Sequence, residues 1–194
     1  MNIPIDISGT VLHTKRLVLR PWCEADLEDF YAYASVSGVG EMAGWPHHRS
    51  LQETEAILKR FINGKHQFAL VLDGRVIGSL GIEEYDEEEL PELAEYRCRE
   101  IGFVLAKDCW GKGLMPEAVS EAIRWMFEEQ NADLLVCSHY DHNRRSARVQ
   151  QKCGFHEYRR KARRNALDED VISVTNILTR KEWEQQIQER STAV

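Results

Sequence analysis

The stretch REIGFVLAKDCWGKGLMPEAV (residues 99–119) joins an extended segment, a glycine turn and the beginning of a helix. Residues 99–106 are typical of a strand, and Gly111 and Gly113 then flank Lys112. Six apolar residues follow at the spacing of one helix face: Ala118, Val119, Ala122, Ile123, Met126 and Phe127. A helix that begins at such a turn leaves its first backbone N–H groups unpaired and favours negative charge there. The stretch therefore predicts backbone that approaches an anion.

Two common nucleotide motifs do not fit this turn. A P-loop, G-x-x-x-x-G-K-[ST], would need glycine where Ala106 stands and a hydroxyl residue where Gly113 stands. A dinucleotide fingerprint, G-x-G-x-x-G, would need its third glycine at Pro116. A pyrophosphate on the helix start and a plain turn between strand and helix are the two interpretations that remain.

The composition indicates an ordinary globular protein. The chain has 194 residues, 43% of them hydrophobic and 29% charged, which predicts a single domain over residues 1–194 with a sizeable core. A net charge of −7 disfavours a general nucleic-acid binder. Five cysteines without a Cys-x-x-Cys pair indicate reduced thiols. The first residues lack a basic segment and no apolar run reaches membrane-spanning length, so we expect a cytoplasmic protein that binds no membrane.

Periodicity and turn residues give the order of elements β, αα, βββ, α, β, α, ββ. The predicted strands are residues 16–22, 68–72, 76–82, 99–106, 134–140, 155–162 and 171–178. The predicted helices are residues 24–34, 51–62, 115–129, 145–153 and a last one from about Lys181. Ser50 is expected to cap the second helix, and Asp73-Gly74 predicts a tight hairpin turn. This order favours a mixed sheet with helices on its faces.

The stretch 99–119 and the later NRRSARVQQKCGF (143–155) together resemble the GNAT superfamily of acetyl-CoA-dependent N-acetyltransferases. Within it, the sequence is similar to the branch with the ribosomal-protein alanine N-acetyltransferases, from the strand near residue 16 to the strand near 178. Its pattern E-I-G-Y-x-L, W-G-x-G-x-x-x-E-A and N-x-x-S-x-x-V-x-x-K-x-G-F is matched in order and spacing. The matching residues are Glu100, Ile101, Gly102 and Leu105, then Trp110, Gly111, Gly113, Glu117 and Ala118, then Asn143, Ser146, Val149, Lys152, Gly154 and Phe155.

The resemblance implies an α+β fold with a central, mostly antiparallel twisted sheet of about seven strands and helices on both faces. It implies that two parallel strands splay apart, making a slot for the acetyl-CoA co-substrate. The turn at 111–116 would hold the pyrophosphate, residues 103–105 would pair with the pantetheine arm, and two polar residues would lie near the sulfur. The coenzyme residues expected on this basis are Phe103, Val104, Leu105, Trp110, Gly111, Lys112, Gly113, Leu114, Met115, Asn143 and Ser146.

Three positions depart from the family pattern. Lys107 stands where the branch commonly has proline, and Leu114-Met115-Pro116 replaces a more usual aromatic-Ala-Thr run. Gln150 stands where many members of the superfamily carry a tyrosine acid, so the group that protonates the leaving thiolate is open.

Transfer of an acetyl group to an amine needs a base for the ammonium and an acid for the thiolate. Glu100 is the candidate base, since partial burial would raise its pKa; the alternative is a structural carboxylate paired with Arg97 or Arg99. Ser146 is the candidate that stabilises or protonates the sulfur, and the alternative is a helix cap. Asn143 has a similar alternative as a turn residue.

The acceptor is predicted only as a primary amine, either a protein N-terminus or a small molecule. Trp45 and His47 are candidate acceptor contacts, with a packed loop as the alternative. The acidic residues 83–95 are a solvated loop or a rim that attracts a cation, and the basic residues 159–164 face that loop, a partner or the coenzyme phosphates.

The spacing of His139, Asp141 and His142 is not that of a metal site, so no metal is expected. A homodimer is compatible with the sequence, which does not set the oligomeric state. A domain that binds coenzyme A for regulation or scaffolding without catalysis is the alternative function.

Overall fold

The computed structural model describes residues 1–192, which form eight strands and five helices. The strands are β1 (Leu12–His13), β2 (Val18–Pro21), β3 (Gln67–Leu72), β4 (Arg75–Glu83), β5 (Cys98–Leu105), β6 (Leu134–Tyr140), β7 (His156–Arg164) and β8 (Asp170–Thr179). The helices are α1 (Leu27–Ala34), α2 (Leu51–Gly64), α3 (Leu114–Glu128), α4 (Arg144–Lys152) and α5 (Arg180–Thr192). Short 3-10 turns lie between several of them.

All the strands belong to one mixed sheet with the order β1-β2-β3-β4-β5-β6-β8-β7. Neighbouring strands are antiparallel except β5 and β6, which are parallel. The predicted class of a mostly antiparallel mixed sheet is confirmed. The described chain has one strand more than the roughly seven expected, because β1 spans two residues and is too short to show a period in the sequence.

Helices cover both faces of the sheet. Trp125 of α3 packs edge-on against Phe68 of β3, which lies opposite Leu80 of β4. Phe30 of α1 stacks on Phe61 of α2 on the other face, where these two helices contact each other and α1 contacts β4. Successive strand residues point to opposite faces, so β4 serves both layers, and its positions from Val76 to Ile82 are all buried.

The local signals for turns and caps are confirmed. Ser50 precedes α2, and its hydroxyl oxygen accepts a bond of 3.2 Å from the Glu53 backbone N–H. Asp73 and Gly74 join β3 to β4 with φ values of 51° and 82°, the left-handed conformation that a tight hairpin turn requires. The segment predicted as a strand over 16–22 is shorter, because only Val18–Pro21 pairs with β3.

The parallel pairing of β5 with β6 is very short. It covers Cys98 to Glu100 on β5 and Leu134 to Val136 on β6, and the two strands then continue without pairing. Beyond Glu100, β5 stays paired with β4 as far as Leu105, while β6 stays paired with β8 as far as Tyr140. The expected splay is therefore present, and it opens a cleft in the middle of the sheet.

The segment between β4 and β5 folds back over one face of the sheet. Its apolar residues Tyr85, Leu90 and Leu93 are buried against Cys98, Leu134, Val136 and Ile177, which makes a second, small core. We call residues 84–97 the acidic segment. The carboxylates of the acidic segment face basic residues of β7, including an ion pair between Glu92 and Arg159. Of the three alternatives for the basic residues 159–164, contact with the acidic segment is the one that these pairs show.

No helix within residues 1–192 is both long and apolar enough to cross a membrane.

Candidate active site

A cavity of about 600 Å³ occupies the cleft where β5 and β6 separate. One wall comes from β5 and the turn that follows it, and the other comes from the end of β6 and from α4. A loop between α1 and α2 covers one end with Val39, Met42 and Ala43. Ile101 to Leu105, Gly113 to Pro116 and Ser138 to Tyr140 all contribute to the lining.

The turn between β5 and α3 depends on two glycines in the left-handed backbone conformation. Gly111 and Gly113 have φ values of 77° and 75°, which only glycine adopts at little cost. Gly113 occupies the cap position of α3, so no side chain satisfies the first N–H groups of that helix. Pro116 is the third helical residue and has no N–H, which leaves those of Leu114 and Met115 as the donors of the first turn. The unpaired N–H groups suit an anion, and Pro116 provides one donor fewer than another residue would at that position.

Trp110 fixes the approach to this turn. Its indole N–H donates a bond of 2.8 Å to the Leu105 carbonyl oxygen, which ties the turn to the end of β5. The Arg145 guanidinium lies 4.4 Å from the centre of the Trp110 ring, close enough for a cation–π contact. This contact joins the residue before the glycine turn to α4, and both side chains line the cavity.

Four basic residues of α4 also line the cavity: Arg144, Arg145, Arg148 and Lys152. None of them was among the predicted coenzyme contacts, although the basic run RRSARVQQK (144–152) is visible in the sequence. Their charges add to the positive end of α3, so this end of the cleft suits a polyphosphate in a protein of net charge −7.

Most of the residues expected to bind the coenzyme lie on this cavity. Those on its lining are Phe103, Val104, Leu105, Trp110, Gly111, Gly113, Leu114, Met115, Asn143 and Ser146. Lys112 is exposed and is not among the lining residues within the described chain. Its carbonyl oxygen accepts a 3.0 Å bond from Arg16, which braces the turn from outside.

Glu100 lines the cavity at the point where the two strands part. Burial raises the pKa of its carboxyl above the usual range, and hydrogen bonding to Ser138 partly offsets this effect. The nearby Glu83 raises that pKa further, while Arg163 lowers it. Within residues 1–192, neither Arg97 nor Arg99 forms an ion pair with Glu100. A carboxylate of this kind is a better base near neutral pH than an exposed one.

Glu83 is a second cavity carboxylate that the sequence analysis did not identify. It is paired with Glu100 across β4 and β5, which places the two side chains on one face of the sheet. The Gln67 amide donates to one of its oxygens, and His66 Nε2 lies 3.1 Å from the other. His66 Nδ1 donates a 2.8 Å bond to the Gly64 carbonyl oxygen, which orients the ring beside Glu83. Burial also raises the pKa of Glu83.

Asn143 is the cap of α4. Its side-chain oxygen accepts a 3.1 Å bond from the Ser146 N–H, and its amide donates a 3.0 Å bond to the Met42 carbonyl. Asn143 therefore joins α4 to the loop that covers the cavity. The alternative role as a helix cap thus belongs to Asn143, and the Ser146 hydroxyl is left for other contacts.

Gln150 orients that hydroxyl. Gln150 is almost fully buried, and its oxygen accepts a 2.6 Å bond from the Asn176 amide. Its own amide then donates to Ser146 Oγ at 3.0 Å and to the Ser138 carbonyl at 3.2 Å. Since Ser146 Oγ accepts this bond, its hydrogen is free to be donated into the cavity.

The loop between α1 and α2 reaches the cavity with residues other than those expected. Trp45 packs against His48, and His47 Nδ1 lies 2.7 Å from Glu41, so neither is among the lining residues of the described chain. Contact of Trp45 and His47 with an acceptor stays a prediction. Nearby, Gly44 leaves room for the Tyr140 hydroxyl, where an added Cβ would collide with it.

Within residues 1–192, no group of three or more His, Cys, Asp or Glu side chains is arranged to hold a metal ion. His139 instead contacts the Asn176 amide at 3.1 Å. Cys109 and Cys153 are buried thiols whose pKa is raised by burial, to about 11 for Cys153.

Residues 16–156 match the family described as acetyltransferase (GNAT) domain, and the chain belongs to this family. It is an acyltransferase of the acetyl-transferring type. Members of the family use acetyl-CoA.

Solved structures of several acetyltransferases have the same fold as this chain. A GNAT-family acetyltransferase from Bacillus anthracis is 20% identical with a TM-score of 0.77, covering 89% of this chain and 99% of that one. A putative ribosomal-protein-serine acetyltransferase from Vibrio cholerae is 17% identical with a TM-score of 0.72, covering 89% and 98%. A microcin C7 self-immunity acetyltransferase solved with acetyl-CoA and AMP is 14% identical with a TM-score of 0.73, covering 90% and 99%.

Proposed function

We propose that this protein is an N-acetyltransferase that moves an acetyl group from acetyl-CoA directly to a primary amine, with both substrates bound together. One observation carries the proposal: the Glu100 carboxyl and the Ser146 side chain line the two walls of one cleft, beside the glycine turn of α3. A base and a hydroxyl donor are thus available at the same opening. No covalent intermediate on the protein is needed for this chemistry.

Different parts of the cleft have different roles in the proposed reaction. The N–H groups at the start of α3 and the cations of α4 bind the phosphates of the coenzyme, as the positive charge at that end favours. Residues 103–105 orient the thioester arm along β5. Glu100 takes the proton of the ammonium, directly or through water, so that the amine can attack the thioester carbonyl. As the C–N bond forms and the C–S bond breaks, the nitrogen releases its second proton to solvent. The Ser146 hydroxyl, held by Gln150, donates a hydrogen bond to the thiolate that leaves.

Glu100→Gln tests the role of the base. The variant keeps the size of the side chain but cannot accept a proton, so we expect turnover at neutral pH to fall by about 100-fold or more. Affinity for acetyl-CoA should change little, because the phosphate end of the cleft is untouched. The measurements are thiol release with a panel of amines and peptides, and thermal shift with acetyl-CoA.

The control for this variant is Glu95→Gln, which removes the same charge at an exposed position of the acidic segment. It should turn over at the wild-type rate. An unchanged rate in Glu100→Gln would remove Glu100 from the mechanism. Wild-type protein that binds acetyl-CoA but acetylates no amine would instead indicate a coenzyme-binding domain without catalysis.

A further inference from the structure

Strand β7 carries three basic residues at alternate positions: Arg159, Lys161 and Arg163. Alternate residues of a strand point to one face of the sheet. Lys161 lies opposite Ser173 of β8, and Arg163 lies opposite Val171. Ser173 and Arg163 both line the cavity, so this is the face on which the cleft opens. We call these three residues the basic row.

The first two members of the basic row are neutralised by the acidic segment. Arg159 forms an ion pair with Glu92 and donates a 2.6 Å bond to the Glu89 carbonyl oxygen. Lys161 Nζ lies 3.6 Å from the Glu89 carboxylate. Their charges are therefore used in holding the acidic segment over the sheet.

Arg163 is placed differently. It lies further along β7 than the residues that contact the acidic segment, and it lines the cavity. Its side chain is exposed, and its guanidinium makes no hydrogen bond or ion pair among the described residues 1–192. Its charge lowers the pKa of Glu100, which indicates that the guanidinium and the proposed base lie within electrostatic reach of each other. One end of the cleft thus holds an arginine without a carboxylate partner.

Glu83 and Glu100 line the same cleft as Arg163. Two carboxyl groups attract an ammonium, whereas an unpaired guanidinium repels one and binds carboxylate or phosphate with two parallel bonds. A purely cationic amine would leave Arg163 facing a like charge. An amine that carries an anionic group would satisfy both kinds of side chain.

We propose that the acetyl acceptor is a small primary amine that also bears a carboxylate or a phosphate, and that Arg163 binds this anionic group while the amine lies at Glu100. This inference rests on the proposed function. The cleft of about 600 Å³ is within the size range of small-molecule sites.

The experiment compares matched pairs of amines that differ only in the anionic group. Amino acids are set against their amides, and aminoalkyl phosphates against the corresponding amino alcohols, so that the two kinds of anion are distinguished. Neutral peptides with free N-termini form a third arm. We expect kcat/KM for the anionic member of at least one kind of pair to exceed its neutral partner by about 10-fold or more, as for a bond between two charged groups.

Arg163→Gln should bring this ratio close to one. The matched control is Arg164→Gln, at the next position of β7, where the side chain points to the other face and pairs with Asp168 of the hairpin. It loses the same charge and should keep the wild-type ratio. Arg163→Lys keeps a positive charge without the planar fork and should restore part of the preference.

Equal turnover of anionic and neutral amines by the wild type would overturn the acceptor class while leaving N-acetylation intact. Faster acetylation of neutral peptides than of any anionic small amine would do the same and would favour a protein N-terminus. A preference for anions that survives in Arg163→Gln would overturn the role of Arg163. Release of no thiol with any amine would overturn the proposed function itself.

Discussion

At the residue scale, the proposed base is governed by neighbours that lie far from it in sequence. Glu83 is 17 positions before Glu100 but directly opposite it across β4 and β5. Each carboxyl is buried enough for its pKa to rise, and the negative charge of Glu83 adds to the effect on Glu100. The ionisation of the base therefore depends on its partner.

Glu83→Gln should shift the acid limb of the pH–rate profile to lower pH. Activity needs ionised Glu100, so it rises as the pH passes the pKa of that group. Removal of the like charge at Glu83 lowers this pKa, since only burial then opposes ionisation. The measurement is kcat/KM against pH, with Glu84→Gln as the control at the adjacent exposed position. A limb that moves to higher pH, or stays in place, would contradict the coupling.

Some residues of the candidate site could be predicted from the sequence, and others could not. Glu100 and the glycine turn lie in one continuous motif, so their types and spacing were sufficient to predict both. Glu83 lies 17 positions from Glu100 and Arg163 lies 63 positions from it. No local sequence pattern encodes which of these distant residues the strand pairing brings to one cleft. The basic run of α4 is visible in the sequence, but only the structure shows that four of its cations line the cleft.

At the element scale, the close contact between β4 and β5 determines the position of the wall of the cleft that β5 forms. Gly78 lies opposite Leu105, and a Cβ built on it would lie closer than 3.0 Å to the Val104 carbonyl oxygen. That atom belongs to backbone and cannot turn aside as a side chain does. Glycine at this position lets β5 pair fully with β4 along the segment expected to hold the pantetheine arm.

Gly78→Ala should therefore push the end of β5 away from β4. We expect a loss of about 1–3 kcal/mol in the free energy of unfolding, as for other overpacked sites, and a higher KM for acetyl-CoA. Urea denaturation and steady-state kinetics measure the two effects. Gly9→Ala is the control, because its added Cβ meets no atom within 4 Å. Equal behaviour of the two variants would show that the strand end has room to adjust.

Helices and the hairpin were the elements that the sequence predicted most closely. Caps and apolar periodicity are local, so Ser50, Asp73-Gly74 and the apolar face of α3 were each visible within a few residues. The two-residue strand β1 had no comparable signal, because its pairing with β2 depends on a chain reversal rather than on its own composition.

At the scale of the whole molecule, one face of the sheet is divided between a covered part and an open part. The acidic segment covers the beginnings of β5 and β6 and the end of β8 with Tyr85, Leu90 and Leu93. The cleft begins where this cover ends, at Glu100. The apolar cluster under the acidic segment therefore sets the boundary between the covered and the open part of this face of the sheet.

Leu93→Ala should loosen that cover. The residue is 3% exposed, so its truncation should cost about 2–4 kcal/mol in the free energy of unfolding. Amide hydrogen exchange should become faster in residues 84–97 and stay unchanged in α3, which packs elsewhere. Glu88→Ala, at an exposed position of the same segment, is the control. Uniformly faster exchange along the whole chain would show that the acidic segment does not unfold as a unit.

The three-residue pairing of β5 with β6 has a mechanical consequence. In the described sheet, this pairing is the only ladder that connects β1–β5 with β6–β8. The boundary between these two parts of the sheet, which we call the seam, is therefore held by few hydrogen bonds. A ligand that pairs with β5 and contacts α4 acts as a cross-link over this seam. Its binding energy then adds to the resistance of the molecule to unfolding, by about 2.7 kcal/mol at a concentration 100 times Kd. Thermal stability of this protein should therefore follow the supply of its co-substrate.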